Sequence, residues 1–319
     1  MDSSRLNLYK QIEEKRDSKL IVYVTGDRQN FGTQIAHDAI DYFVEHLDLI
    51  GTVPKISLLL YTSGGLTLAA WNIVRLIRQF CKDFEVIVPF KAHSSGTLIC
   101  LGANRIVMTK QATLSPIDQS FTRDQLHPLG VPVNSEALRG FFDLARYELG
   151  IKDETALSSI LNKLTDNVHP LTLGDCYRSM NQTQTLAEKL LTHQVKDPDK
   201  TKTIISFLCS DAGSHDYPIN WQEASELGLS VEKPDQELYQ ILKKTHNSIR
   251  DELGLHLLYC PASLTGENEK YKIHRVLIES ISGGADAFLS EGTFLLNKEQ
   301  NSTFDMRLFD GWKHNDFPK

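Results

Sequence analysis

Lys55-Ile-Ser-Leu-Leu-Leu-Tyr61-Thr62-Ser63-Gly64-Gly65 reads as a strand that runs straight into a glycine turn. Its near-continuous apolar run from Ile56 to Tyr61 suits a strand covered on both faces, as in a parallel sheet. Leu68, Trp71, Val74, Leu76 and Ile77 then follow at helical spacing, which predicts a helix over Leu66–Phe80. The same alternation extends in both directions. Upstream lie a strand, Lys19–Thr25, and a helix over Gln34–Leu49 with Ile35, Ile40, Phe43 and Leu47 on one face. Downstream come a strand over Phe84–Phe90, the segment His93-Ser94-Ser95-Gly96, a short helix through Gly102, and further strand at Arg105–Thr109 and Ala112–Leu114. Strands alternating with amphipathic stretches predict an α/β fold with a parallel sheet and crossover helices.

Beyond this core the pattern turns helical from Asn134 to Leu208, with helices expected over Glu136–Leu149, Asp153–Leu164 and Leu173–Thr192. A motif-rich stretch, Ser210–Leu229, closes with a short helix over Trp221–Leu227 that Gly228 would stop. A helix is expected over Asp235–Glu252. His256–Pro261, Lys272–Ile278 and Phe288–Leu296 read as strands of a small appended sheet, and Asn297–Lys319 as a polar tail. The division expected is one domain over residues 1–254, with a helical insert over 134–208, and a small β extension over 255–319.

Composition narrows the function. With 319 residues, 41% hydrophobic and 24% charged, the chain can bury a sizeable core and need not be disordered. Lys and Arg total 34 against 41 Asp and Glu, a net charge of −7 with no basic block, which argues against nucleic acid as partner. The longest apolar runs fall far short of the roughly 20 residues of a spanning helix. The N-terminus lacks the apolar stretch of a signal peptide, so a cytoplasmic location is expected. Cys81, Cys100, Cys176, Cys209 and Cys260 are widely spaced and form no C-x-x-C pair, so they read as reduced thiols. No metal-ligand spacing, P-loop or dinucleotide fingerprint occurs, so no cofactor is expected and any unfolding ATPase must be a separate partner.

Two strand-to-turn junctions carry the chemistry. At Ser63-Gly64-Gly65 the paired glycines allow positive φ and leave backbone N–H groups free to face an anion. At Ala92-His93-Ser94-Ser95-Gly96-Thr97 a serine meets a helix entry, with a glycine two positions later. The full G-x-S-x-G elbow is absent, because Ala92 occupies its first glycine position. Acyl transfer needs both a nucleophile and oxyanion donors, so the pair of junctions is more telling than either alone. The Ser95 amide and one of the Gly64 and Gly65 amides are the natural donors.

The chain resembles the serine dehydrogenase proteinase family, related in fold to the Clp protease proteolytic subunit and signal peptide peptidase A. The resemblance is carried by Leu20-Ile-Val-Tyr-Val-Thr-Gly-Asp27, Tyr61-Thr-Ser-Gly-Gly65, Ala92-His-Ser-Ser-Gly-Thr97, Ile106-Val-Met-Thr-Lys-Gln-Ala-Thr-Leu-Ser-Pro-Ile-Asp118, Val168-His-Pro-Leu171 and Ser214-His-Asp-Tyr-Pro-Ile219. It implies a ClpP/crotonase-like core of repeated ββα units, a homo-oligomer, and a serine peptidase with Ser94 as nucleophile ahead of Ser95; the helical insert, Asn134–Leu208, is expected to roof the cleft and limit substrates to short peptides or unfolded protein segments. Ser95 stands where the family commonly has alanine, and Gln119 where it commonly has proline.

The resemblance leaves the base open. The Clp subunit's histidine has no counterpart in Ala112–Asp118. His215, just before a short helix, is one candidate, with Asp216 or Asp211 to orient it. Lys163 is another, if burial lowers its pKa as in a Ser-Lys dyad. Lys110 is a third and weaker one. His169, before Pro170, either borders the site or pins its loop. Two rival functions share the fold: a non-peptidase crotonase-type acyl-CoA enzyme, and a catalytically inactive scaffold or regulatory subunit.

Overall fold

The computed structural model describes residues 4–117, 135–259, 270–297 and 302–315. Asp118, Gln119 and Cys260 lie outside the described residues. The central strands β1 (Lys19–Thr25), β2 (Val53–Tyr61), β3 (Cys81–Val88), β5 (Arg105–Met108) and β8 (Val231–Glu232) run parallel. Three C-terminal strands, β9 (Lys270–Ser280), β10 (Gly284–Asn297) and β11 (Ser302–Asn315), add to them antiparallel, in the order β11-β10-β9-β1-β2-β3-β5-β8. The fold is mixed α/β, as the alternation predicts.

The apolar runs are continuous because each central strand is covered twice. Ile21 and Tyr23 of β1 face one core with Phe43 and Leu47 of α2 (Ala39–Ile50) and Ile73 and Ile77 of α3 (Thr67–Phe80). Leu20, Val22 and Val24 face the other, with Tyr9 and Ile12 of α1 (Ser4–Arg16) and Leu238 and Leu242 of α10 (Gln236–Leu253). Side chains alternate across a strand, so both sets must be apolar. Each such fully buried side chain contributes about 1.5–3 kcal/mol. Glu85 of β3 is the charged exception. Arg16, Lys55 and Ser57 surround it, and their hydrogen bonds and charges overcome burial to hold its carboxyl down at about 2.

The C-terminal strands join the main sheet instead of forming a small sheet of their own. β9 carries Val276, Leu277 and Ile278, buried toward both cores, and it pairs with the edge of β1 that would otherwise present open N–H and C=O groups. β11 occupies the stretch expected to be a polar tail. As an edge strand it is only partly covered, and Asp305, Arg307 and Asp310 mask the strand pattern. His256–Tyr259, expected to begin a strand, instead follows the end of α10. Arg28 donates to the Leu257 and Leu258 carbonyls there, and the Tyr259 N–H donates to Gln29.

A second, three-stranded sheet sets up the site. β4 (Lys91–Ala92) pairs parallel with β6 (Thr113–Leu114), which pairs antiparallel with β7 (Ile219–Asn220). The chain thus leaves the main sheet after β3 to form β4 and then α4 (Ser95–Leu101), and again after β5 to form β6. The helical layer comprises α5 (Ser135–Asp143) with a following π-helical turn, α6 (Glu154–Thr165), α7 (Pro170–Leu191) and α8 (Pro198–Ser206), and the short α9 (Trp221–Glu226) follows β7. Among the described residues, no helix is long and apolar enough to cross a membrane.

Candidate active site

Ser94 sits where β4 ends and α4 begins, with φ 51° and ψ −118°. A non-glycine residue there is strained by about 1–3 kcal/mol, so its surroundings must hold it. The Ser94 N–H donates to Ser115 Oγ at 2.8 Å, and the Gly96 N–H donates to the His93 carbonyl at 2.8 Å. Thr97 Oγ1 lies 2.8 Å from both the Ala92 and Ser115 carbonyl oxygens and accepts from the Ser115 N–H at 3.1 Å. Gly96 is packed so closely that a Cβ would come within 2.4 Å of Thr62 Cγ2.

The glycine turn reaches the serine directly. A Cβ on Gly64 would lie 2.8 Å from Ser94 Cβ and 3.3 Å from Ser94 Oγ. The turn is joined to β4 through the Thr62 N–H to the Lys91 carbonyl and the His93 N–H to the Thr62 carbonyl, both 3.1 Å. On its other side runs Ile35, expected in a helix but extended here. Its N–H donates to the Gly64 carbonyl and its carbonyl accepts from Leu66 N–H, both at 2.8 Å, so α2 cannot begin until the chain has cleared the turn.

These bonds sort the candidate oxyanion donors. The Gly64 N–H is engaged by Thr62 Oγ1 at 3.0 Å, so its contribution is room, not a hydrogen bond. Among the described residues, the N–H groups of Gly65 and Ser95 meet no acceptor. The buried Ser95 hydroxyl also lacks a partner among them, an orphan beside the helix entry.

The candidate bases separate. His215 and Asp216 stand in the loop ahead of β7, which pairing with β6 brings toward β4. Both are close enough for their charges to act on His93. Asp211 is instead turned to Ser206, 2.5 Å from its hydroxyl. Lys163 does not meet the requirement for a lysine base. Its side chain is 82% exposed on α6 and pairs with Asp166 at 3.4 Å, because its helix face points to solvent. His169 is exposed and caps α7, its Nδ1 accepting from the Leu171 N–H at 3.2 Å. Lys110 lies over the Tyr239 ring, 5.0 Å from its centroid.

His93 was missed by the sequence reading. Its Nε2 is 2.8 Å from Thr113 Oγ1. Burial, and then the charge of Lys91, push its imidazole down to about 4, so it is neutral in the fold at physiological pH. An imidazole with an ordinary value of 6.5 and a folded value near 4 binds its proton in the unfolded chain first. Stability is therefore complete above the upper value and falls as pH drops toward the lower one. Urea unfolding at about pH 8 and about pH 5 is expected to show this loss, and His93→Gln should reduce it by up to about 2 kcal/mol.

Residues 1–139 match the family of ClpP-like SDH-type serine proteinases, in agreement with the resemblance carried by the motifs. An uncharacterised protein of Methanocaldococcus jannaschii is 29% identical over 256 residues, covering 77% of this chain and 80% of its own length. Among solved structures, a variant of the 1510-N membrane-bound stomatin-specific protease is similar at TM-score 0.41 and 18% identity, over 70% of this chain and 85% of its own. A ClpP1 mutant from Listeria monocytogenes is similar at TM-score 0.39 and 13% identity, over 71% of this chain and 99% of its own.

Proposed function

We propose that the chain is a serine peptidase that hydrolyses peptide bonds through an acyl-enzyme on Ser94. One observation carries this reading: Ser94 is held at a strained helix entry beside two N–H groups, of Gly65 and Ser95, that have no acceptor among the described residues. Neither a tight turn nor a helix cap needs that combination. Ser94 Oγ attacks the substrate carbonyl and gives up its proton to the base. The developing oxyanion accepts from the two amides, the amine leaves with the proton, and water then releases the acyl group by the reverse sequence. His215 is the base in this reading, oriented by Asp216, since its loop is delivered beside β6 and β4. The substrate is a short peptide or an unfolded segment, and the working form is a homo-oligomer in the cytoplasm, served where necessary by a separate ATP-dependent unfoldase.

Intact-mass labelling with a fluorophosphonate tests the proposal. One adduct per chain is expected, mapping to Ser94 by peptide mass spectrometry. His215→Ala should slow labelling by roughly 100-fold or more, while Lys163→Ala should leave it unchanged. Absence of an adduct from the oligomeric protein would overturn the peptidase reading in favour of a scaffold or an acyl-CoA enzyme.

A further inference from the structure

We propose, resting on the peptidase reading, that Asp27 is a positioning residue whose carboxylate clamps the oxyanion turn to the strand that delivers Ser94. Asp27 stands two residues beyond β1 and contacts neither Ser94 nor the free amides. Its Oδ1 accepts from the Tyr61 hydroxyl at 2.8 Å. Its Oδ2 accepts from the Lys91 ammonium and from Ser63 Oγ, the latter at 3.4 Å. Tyr61 ends β2 and Ser63 opens the Ser63-Gly64-Gly65 turn, and Lys91 opens β4, three residues before Ser94. The Lys91 ammonium also lies 5.4 Å from the centre of the Tyr61 ring. One carboxylate thus gathers three donors from the two segments whose relative position defines the site.

The clamp has work to do because close packing sets how near the two segments lie, while few other hydrogen bonds among the described residues hold them there. Among the described residues, the hydrogen bonds shared by turn and strand are the two of the Thr62 backbone, while the Thr25 hydroxyl, 2.6 Å from that of Thr62, ties the turn to β1. With side chains 23% and 17% exposed, Asp27 and Lys91 are screened from solvent more than a surface pair is. Burial, and the Asp27 carboxylate beside it, push the Tyr61 phenol up, so it remains a donor. The chemistry calls for a carboxylate. An asparagine of the same shape would either set its NH₂ against the Lys91 ammonium, donor to donor, or turn it to Tyr61 and leave the ammonium a neutral amide oxygen in place of a carboxylate.

The test compares wild type, Asp27→Asn, Tyr61→Phe and the charge-balanced pair Asp27→Asn with Lys91→Gln. It measures amide hydrogen exchange, urea unfolding and the rate of fluorophosphonate labelling. In Asp27→Asn, the Thr62 and His93 amides should exchange at least about 10-fold faster, with other core amides unchanged, and labelling should slow by roughly 10- to 100-fold, the cost of a small misplacement. Tyr61→Phe should do less, and the charge-balanced pair should recover part of the loss. Exchange at Thr62 and His93 identical to wild type would overturn the proposal. So would faster exchange with unchanged labelling, or a loss of protection spread over the whole fold. If wild type takes no label, the peptidase reading fails, and the exchange comparison alone decides the clamp.

Discussion

Replacing Ser94 by alanine is expected to abolish fluorophosphonate labelling and to lower peptide turnover by roughly 10³- to 10⁶-fold, the range found when a serine nucleophile is removed. The fold should hardly register the change. Alanine keeps the Cβ, so the strain at φ 51° is the same in both proteins. The bond that anchors this residue runs from its backbone N–H to Ser115 Oγ and survives. No hydrogen bond to the Ser94 hydroxyl occurs among the described residues, so its loss leaves no buried partner unsatisfied. Urea unfolding should therefore shift by no more than about 0.5 kcal/mol. Stopped-assay rates and urea curves on the same preparation check both halves. Equal turnover by the two proteins would refute the acyl-enzyme.

How much of this was written legibly in the chain depends on whether a residue's neighbours are local. The β1 and β2 runs are near-continuously apolar because both faces are covered, and Ser94 and Gly64-Gly65 stand out because each lies at a strand-to-turn junction. Those features are visible in a few consecutive residues. Asp27 is not, since its partners Tyr61 and Lys91 lie 34 and 64 positions away and nothing near it in sequence announces them. Ser115 likewise supports Ser94 from 21 positions downstream. Ile35 misled because its apolar spacing fits the helix that follows, while its backbone is committed to Gly64 and Leu66. Lys163 shows the converse error. An amphipathic period was legible, but which side of α6 faced solvent was a tertiary fact. For β11, edge position removed the very alternation on which a strand is recognised.

Gly64→Ala should silence the site through space alone and with comparable force. Gly64 has φ 115°, and a Cβ there would meet Ser94 Cβ at 2.8 Å and the His93 carbonyl oxygen at 3.2 Å. Neither neighbour is the free end of a flexible chain. One is the root of the nucleophile, and the other is backbone already holding the Gly96 N–H. The turn and the serine must therefore move apart, carrying the Gly65 amide away from the oxyanion position while the Gly64 N–H stays occupied by Thr62. Loss of one oxyanion donor costs about 100- to 1000-fold, and the strained φ should lower stability by about 1–3 kcal/mol. Gly51 separates the two contributions. It also has positive φ, 72°, but nothing lies within 4 Å of its would-be Cβ. Gly51→Ala should thus lower the urea midpoint while leaving labelling at the wild-type rate. If Gly64→Ala matched Gly51→Ala in both measurements, the close approach of the glycine turn to Ser94 would have no part in catalysis.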